Sequence, residues 1–202
     1  MPYGRKIEWR RENRISAGEL NTQTMNTTST DLRYPIGHYQ ARPFSTQQKE
    51  EWLNDIKFLP QLLENAVVNL DEAQLQTPYR EGGWTVQQLV HHVADSHMNA
   101  YCRFKLGLTE DRPAIRPYDQ AAWAQLSDSA KIPINISLTL LYALHTRWYS
   151  LISDLELKDW ERVIVHPEYQ KEMTLWYVLG MYAWHGKHHV AHITGLRERN
   201  KW

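Results

Sequence analysis

The last stretch of the chain restricts its fold most. Val178, Tyr182, His185, His189, Ile193 and Leu196 recur at spacings of three and four residues. At 100° per residue they fall in one narrow arc of a helix. Such a helix has to bury that stripe, and two histidines sit in its middle. His188 falls off the arc and His192 lies near its edge.

Three earlier helices supply surfaces for it to pack against. The first opens with Ser45 and Gln48 as a capping box, in which each side chain satisfies the other's amide. Trp52, Ile56, Leu59, Leu63, Ala66 and Leu70 then form its stripe, and Pro60 should kink it. The second starts with a box from Thr85 to Gln88 and runs past Leu89, Val93, Ala100 and Phe104 to about Gly107. The third begins near Ser137 and carries Leu138, Leu141, Leu144, Trp148, Leu151 and Leu155. The fourth begins near Thr174. A long proline-containing connection, with a short helix from Asp119 to Leu126, separates helices two and three and can cross the bundle. The segment "RVIVHPEY" before helix four reads as briefly extended. The pattern predicts a single all-α four-helix bundle with a long crossover between helices two and three.

The 202 residues hold 23 basic and 23 acidic side chains, so no net charge steers the chain to nucleic acid or an anionic membrane. Apolar runs fall far short of the ~20 residues that cross a bilayer. The single cysteine, Cys102, excludes an intramolecular disulfide and a thiolate-rich zinc finger, which fits a cytoplasmic protein. Residues 1–24 lack an apolar segment and read as a solvated, dispensable tail; the domain is expected to occupy 25–202, with an arm over 26–44 before the first helix.

Of the chain's 10 histidines, seven fall in "HHVADSH" (91–97) and "WHGKHHVAH" (184–192). His185 and His189, one turn apart, have Cβ atoms about 6 Å apart. Their imidazoles can converge on one ion at metal–nitrogen distances near ~2.0–2.1 Å. Singly, a buried histidine is more often a neutral core residue bonded to a hydroxyl or carbonyl. Two on one buried stripe are harder to satisfy without a ligand. Helix two offers a third: His97 on its apolar face or His92 on its border, with His91 opposite. Periodicity does not choose between His92 and His97. Three histidines with no acidic or thiolate partner leave positions open for water, the pattern of a catalytic zinc site.

The segments "YPIGHYQARP" (34–43), "TPYREGGWTVQQLVHHVADSHMNAYCRFKLGLTE" (77–110), "PAIRPYDQAAW" (113–123) and "WHGKHHVAHI" (184–193) together resemble the YfiT-type metal-dependent hydrolases, a branch of the DinB-like superfamily. The resemblance covers about 32–202. It implies an up-down-down-up bundle, usually a homodimer, binding one Zn2+ (or Ni2+ or another divalent ion) per subunit through His92, His185 and His189. It also implies a hydrolase acting on a small-molecule substrate. Asp95 and Asp119 are candidates for a general base; their alternatives are a partner that fixes an imidazole tautomer and a helix N-cap. Two further readings compete. One is a metal-dependent thiol S-transferase, with Arg103, Lys105, Arg116 and Arg147 meeting the carboxylates of a thiol cofactor. The other is a non-catalytic metal-binding protein, completed by a fourth ligand such as His97 or His192.

Overall fold

A computed structural model describes residues 31–168 and 171–202. The expected tail over 1–24 and the first part of the arm, 26–30, lie outside the described residues. The elements are α1 (Thr46–Val67), α2 (Glu72–Leu75), α3 (Val86–Thr109), α4 (Gln120–Trp123), α5 (Ser127–Lys131), α6 (Ile134–Ile152), α7 (Leu157–Trp160), β1 (Val163–His166), β2 (Lys171–Thr174) and α8 (Leu175–Asn200). None of the helices among the described residues is long and apolar enough to cross a membrane.

The four long helices form one bundle in which α1 packs on α6 and α8, and α3 packs on the same two. Their directions follow from the partners. Lys49 donates to the Leu155 carbonyl (3.0 Å) and Tyr142 to Glu64 (2.5 Å), so α1 and α6 run antiparallel. Trp52 lies beside Gly180 and Leu59 beside Gly186, so α1 and α8 run parallel. On α3, His91 meets Ser137 and Phe104 meets Trp148, so α3 and α6 are parallel. The order is up, down, down, up, and the connection 110–133 therefore has to travel the length of the bundle. At Gly186 an added Cβ would come within 2.6 Å of the Leu59 side chain. That glycine lets the backbone of α8 approach α1 closely beside His185.

Two apolar clusters fill the interior. One is aromatic, with Trp52, Phe104, Trp148, Trp160, Trp176 and Tyr182. The other is mainly aliphatic, with Leu59, Leu63, Leu89, Val93, Leu141 and Ile193 among its members. The histidines occupy the level between them.

Several local details depart from the sequence reading. Ser45 caps α1 by accepting from the Gln48 amide (3.1 Å), but the box is not reciprocal. The Gln48 side chain instead accepts from Arg42 and donates to Glu51. Leu70 lies beyond the end of α1, after Asn69 at φ 62°, and still packs on the aliphatic cluster. The third long helix begins at Ile134, with Pro133 in extended conformation at its N-cap. The short helix of the crossover ends at Trp123 and a second, α5, follows it. The extended segment is strand β1, and its antiparallel partner β2 went unread because "KEMT" has no apolar alternation.

Candidate metal centre

Each helix that carries a candidate ligand is fixed at its start. Thr174 accepts from the Tyr177 amide at the head of α8 (3.1 Å), and Thr85 and Gln88 cap α3 reciprocally (3.1 and 3.0 Å). Antiparallel packing of α3 and α8 then brings His92 opposite His185 and His189. The Nε2 of His185 lies 3.3 Å from Nε2 of His92 and 3.2 Å from Nε2 of His189. An ion about 2.0–2.1 Å from each nitrogen, in near-tetrahedral geometry, requires separations of about 3.2–3.4 Å. The donor set fits a divalent ion, and it contains no carboxylate or thiolate.

Burial prepares these rings to be ligands. His92 and His189 are buried, while His185 keeps partial exposure. Desolvation pushes the His92 pKa down to about 4. Desolvation and the neighbouring imidazoles hold His185 and His189 well below the ordinary histidine value. All three are neutral at pH 7, the state a metal requires. Trp84 packs on the His92 ring, with centroids 4.6 Å apart.

Behind the trio stand further histidines. His97 Nε2 is 3.2 Å from His185 Nδ1, His97 Nδ1 is 3.1 Å from His145 Nε2, and His145 Nδ1 is 2.5 Å from the Ile56 carbonyl. On the other side, His192 Nδ1 is 3.4 Å from His189 Nδ1 and its Nε2 is 3.2 Å from the Arg33 carbonyl. A carbonyl only accepts, so His192 carries its proton on Nε2 and receives one from His189 Nδ1, leaving His189 Nε2 bare. His97 and His192 thus face the Nδ1 sides of His185 and His189. The fourth-ligand role considered for them does not match their positions. His91, expected opposite the apolar face, is buried under the crossover and meets Ser137 (2.8 Å) and the Ile132 carbonyl (3.0 Å).

A second trio, His188, His189 and His192, also has ligand atoms within 4.8 Å of one another. It shares His189, whose Nδ1 proton is committed to His192. His188 stacks on Trp184 (4.5 Å), and its Nδ1 is buried without a hydrogen-bond partner among the described residues.

Asp119 is the N-cap of α4, accepting from the Ala121 and Ala122 amides (3.0 and 2.9 Å). Asp95, half-buried on α3, has its pKa raised to about 6 by desolvation and then by Asp128. Arg103 donates to the Tyr182 phenol (2.6 Å), Lys105 and Arg147 lie over the Tyr101 ring, and Arg116 is exposed. A cavity of about 440 Å³ adjoins the trio at His189 and is lined by Arg33, Tyr34, Tyr79, Trp84 and His188 among others. Sequence reasoning passed over His145, though a histidine between Leu144 and Trp148 on an apolar stripe was a visible signal. It also placed His188 off the buried arc and His192 near its edge, whereas the arm over 31–44 covers that face of α8 and both are buried.

A four-helix bundle with three converging histidines on its second and fourth long helices defines a class, and the comparisons agree with it. The family model described as the DinB superfamily matches residues 55–193. The chain belongs to the DinB superfamily. A Bacillus cereus protein provisionally named a metal-dependent hydrolase is 53% identical over 173 residues, covering 85% of this chain and 99% of its own. A Bacillus thuringiensis subsp. konkukian protein with the same provisional name matches at the same identity and coverage. A solved structure, YfiT from Bacillus subtilis, described as a probable metal-dependent hydrolase with an unusual four-helix bundle topology, superposes with TM-score 0.83 at 49% identity. It covers 85% of this chain and 98% of its own.

Proposed function

We propose that the protein is a metal-dependent hydrolase of a small molecule, with His92, His185 and His189 holding one divalent ion, zinc or nickel, per chain. The 3.2 and 3.3 Å separations of His185 Nε2 from Nε2 of His189 and of His92 carry this reading. A bound ion supplies Lewis acidity, lowering the pKa of a water towards about 7 and polarising a carbonyl. The chain's own part is to hold three neutral imidazoles and to leave the trio bordered by a cavity at His189. Asp95, one turn from His92 on α3 and pushed up to about 6 by burial, is the group we assign to take a proton. The cavity beside His189, walled by Tyr34, Tyr79 and Trp84, supports a small-molecule substrate. Exposed apolar side chains on adjacent helices, Phe58 and Leu62 on α1 with Ile136 and Leu140 on α6, support a homodimer.

The test is metal analysis of protein purified without chelator, followed by assays on esters and amides. Close to one ion per chain is expected, and its loss in a His185→Ala, His189→Ala double variant. Metal-free protein, or full retention by the double variant, would sink the site. Turnover of an ester or amide without thiol supports the hydrolase; an absolute requirement for a low-molecular-weight thiol would make the protein an S-transferase.

A further inference from the structure

Pro60 lies inside α1 without ending it. A proline has no N–H, so the carbonyl four residues back, that of Ile56, loses its helical donor. In the core such a group needs another partner. His145, on α6, provides it from Nδ1 at 2.5 Å.

That contact has consequences three rings away. The Ile56 carbonyl can only accept, so a neutral His145 carries its proton on Nδ1 and offers Nε2 as an acceptor. His145 Nε2 faces His97 Nδ1 at 3.1 Å, which places the His97 proton on Nδ1. His97 Nε2 is then an acceptor, and it faces His185 Nδ1 at 3.2 Å. His185 is left with its proton on Nδ1 and a bare Nε2, the atom directed at His92 and His189.

We infer that His97 and His145, anchored on the carbonyl that Pro60 frees, are positioning residues that lock His185 in the Nδ1-protonated tautomer with Nε2 bare towards a divalent cation. The inference rests on the reading of the trio as a metal site. A histidine side chain in water prefers the opposite tautomer, with the proton on Nε2, so the lock has a preference to overcome. The chain ends on a carbonyl, which cannot pass a proton on; it is a lock and carries no proton out of the site. It also contains no carboxylate, unlike the usual support of a metal-bound histidine. The imidazole therefore gains orientation without added negative charge.

The experiment uses uniformly 15N-labelled full-length protein stripped of metal. Long-range 1H–15N spectra near pH 7.5, with the His185 signals assigned by their absence in His185→Gln, report which ring nitrogen is protonated. The expected result is a protonated Nδ1 and a bare Nε2 on His185. A protonated Nε2 overturns the lock, and this spectrum needs no variant at His145. Next, Zn2+ affinity is measured by chelator competition for His145→Phe and His145→Gln. His145→Phe should release the tautomer and weaken Zn2+ binding about 10–100-fold, the range seen when support behind a ligand is lost. His145→Gln, whose amide can both donate to Ile56 and accept from His97, should restore both readouts towards those of the unaltered protein. A folded His145→Phe protein with unchanged His185 signals and unchanged affinity overturns the inference, as do equal losses in the two variants. If the unaltered protein binds no Zn2+, the metal reading fails instead, while the His185 spectrum still decides the lock.

Discussion

His185 and His189 belong to one short motif on one helix, yet the two are supported by different parts of the molecule. Behind His185 the chain of rings runs inward, through His97 on α3 and His145 on α6 to a carbonyl of α1. Behind His189 it runs outward, through His192 to the Arg33 carbonyl on the arm that precedes the first helix. The inner chain is embedded in all four long helices, and His97 and His145 are 0% and 1% exposed. The outer chain depends on a strap of non-helical backbone. Two histidines of one motif can therefore differ in how firmly they are oriented, and the difference lies one ring behind the converging Nε2 atoms.

Acid strikes both chains together and should have the largest effect. Burial pushes His92, His145 and His192 down to about 4 and His188 to about 3, from an ordinary value of 6.5. The folded state thus favours neutral rings, while the unfolded chain takes up protons below 6.5. Stability is fully present above that pH and is lost as pH falls towards 4, by about 1.4 kcal/mol per pH unit for each such histidine. Asp95 acts in the opposite sense: its value is raised to about 6, so the folded state gains from its protonation over part of the same range. Four histidines outweigh one carboxyl. Metal-free protein should unfold on acidification between about pH 6 and 4, as followed by far-ultraviolet circular dichroism; a flat profile to pH 4 would show that these rings are not held neutral.

The two chains should separate under substitution. His145→Phe removes the donor to the Ile56 carbonyl and the acceptor for His97, both deeply buried, and should cost about 1–3 kcal/mol. His192→Phe removes a longer contact to His189 (3.4 Å) and one bond to the arm's Arg33 carbonyl beside a cavity, and should cost about 1 kcal/mol or less. Denaturant unfolding of the two metal-free variants provides the comparison. Equal costs would mean that the strap is as firm as the bundle.

The smallest effect is expected from the N-terminal end. A chain starting at Met25 retains Arg33 and the arm, so its melting temperature and metal content should match those of the full chain. Loss of metal in that shortened protein would place part of the outer support before residue 25.

Much of this was legible in the sequence, and the exceptions have physical causes. Period-3.6 stripes and two capping signals located the four long helices, because each buries one face against two neighbours. His185 and His189 stood out because they interrupt such a stripe. Periodicity stopped short between His92 and His97, since both angles reach the same seam. Only the packing shows that His92 reaches it with Nε2 while His97 stands behind. His188, placed off the arc, is buried because a helical projection assumes solvent on the far side, and here the arm covers it. The reciprocal box at Ser45 failed because Arg42 and Glu51 compete for the Gln48 amide. Strand β2 was invisible, since its pairing is set by β1 and not by its own composition.

Pro60 has one more consequence. Apolar stripes tolerate sliding: a helix shifted by one turn against its neighbours still buries leucine on leucine. Directional bonds between buried rings do not, because any shift leaves an imidazole N–H without a partner, at about 1–3 kcal/mol for each orphaned group. The bond from His145 to the Ile56 carbonyl sets the register of α6 against α1. The contact of His97 with His145 sets α3 against α6, and that of His97 with His185 sets α8 against α3. A missing amide hydrogen in the first helix thereby helps to specify how the other three align, much as a single buried polar residue fixes register in a coiled coil.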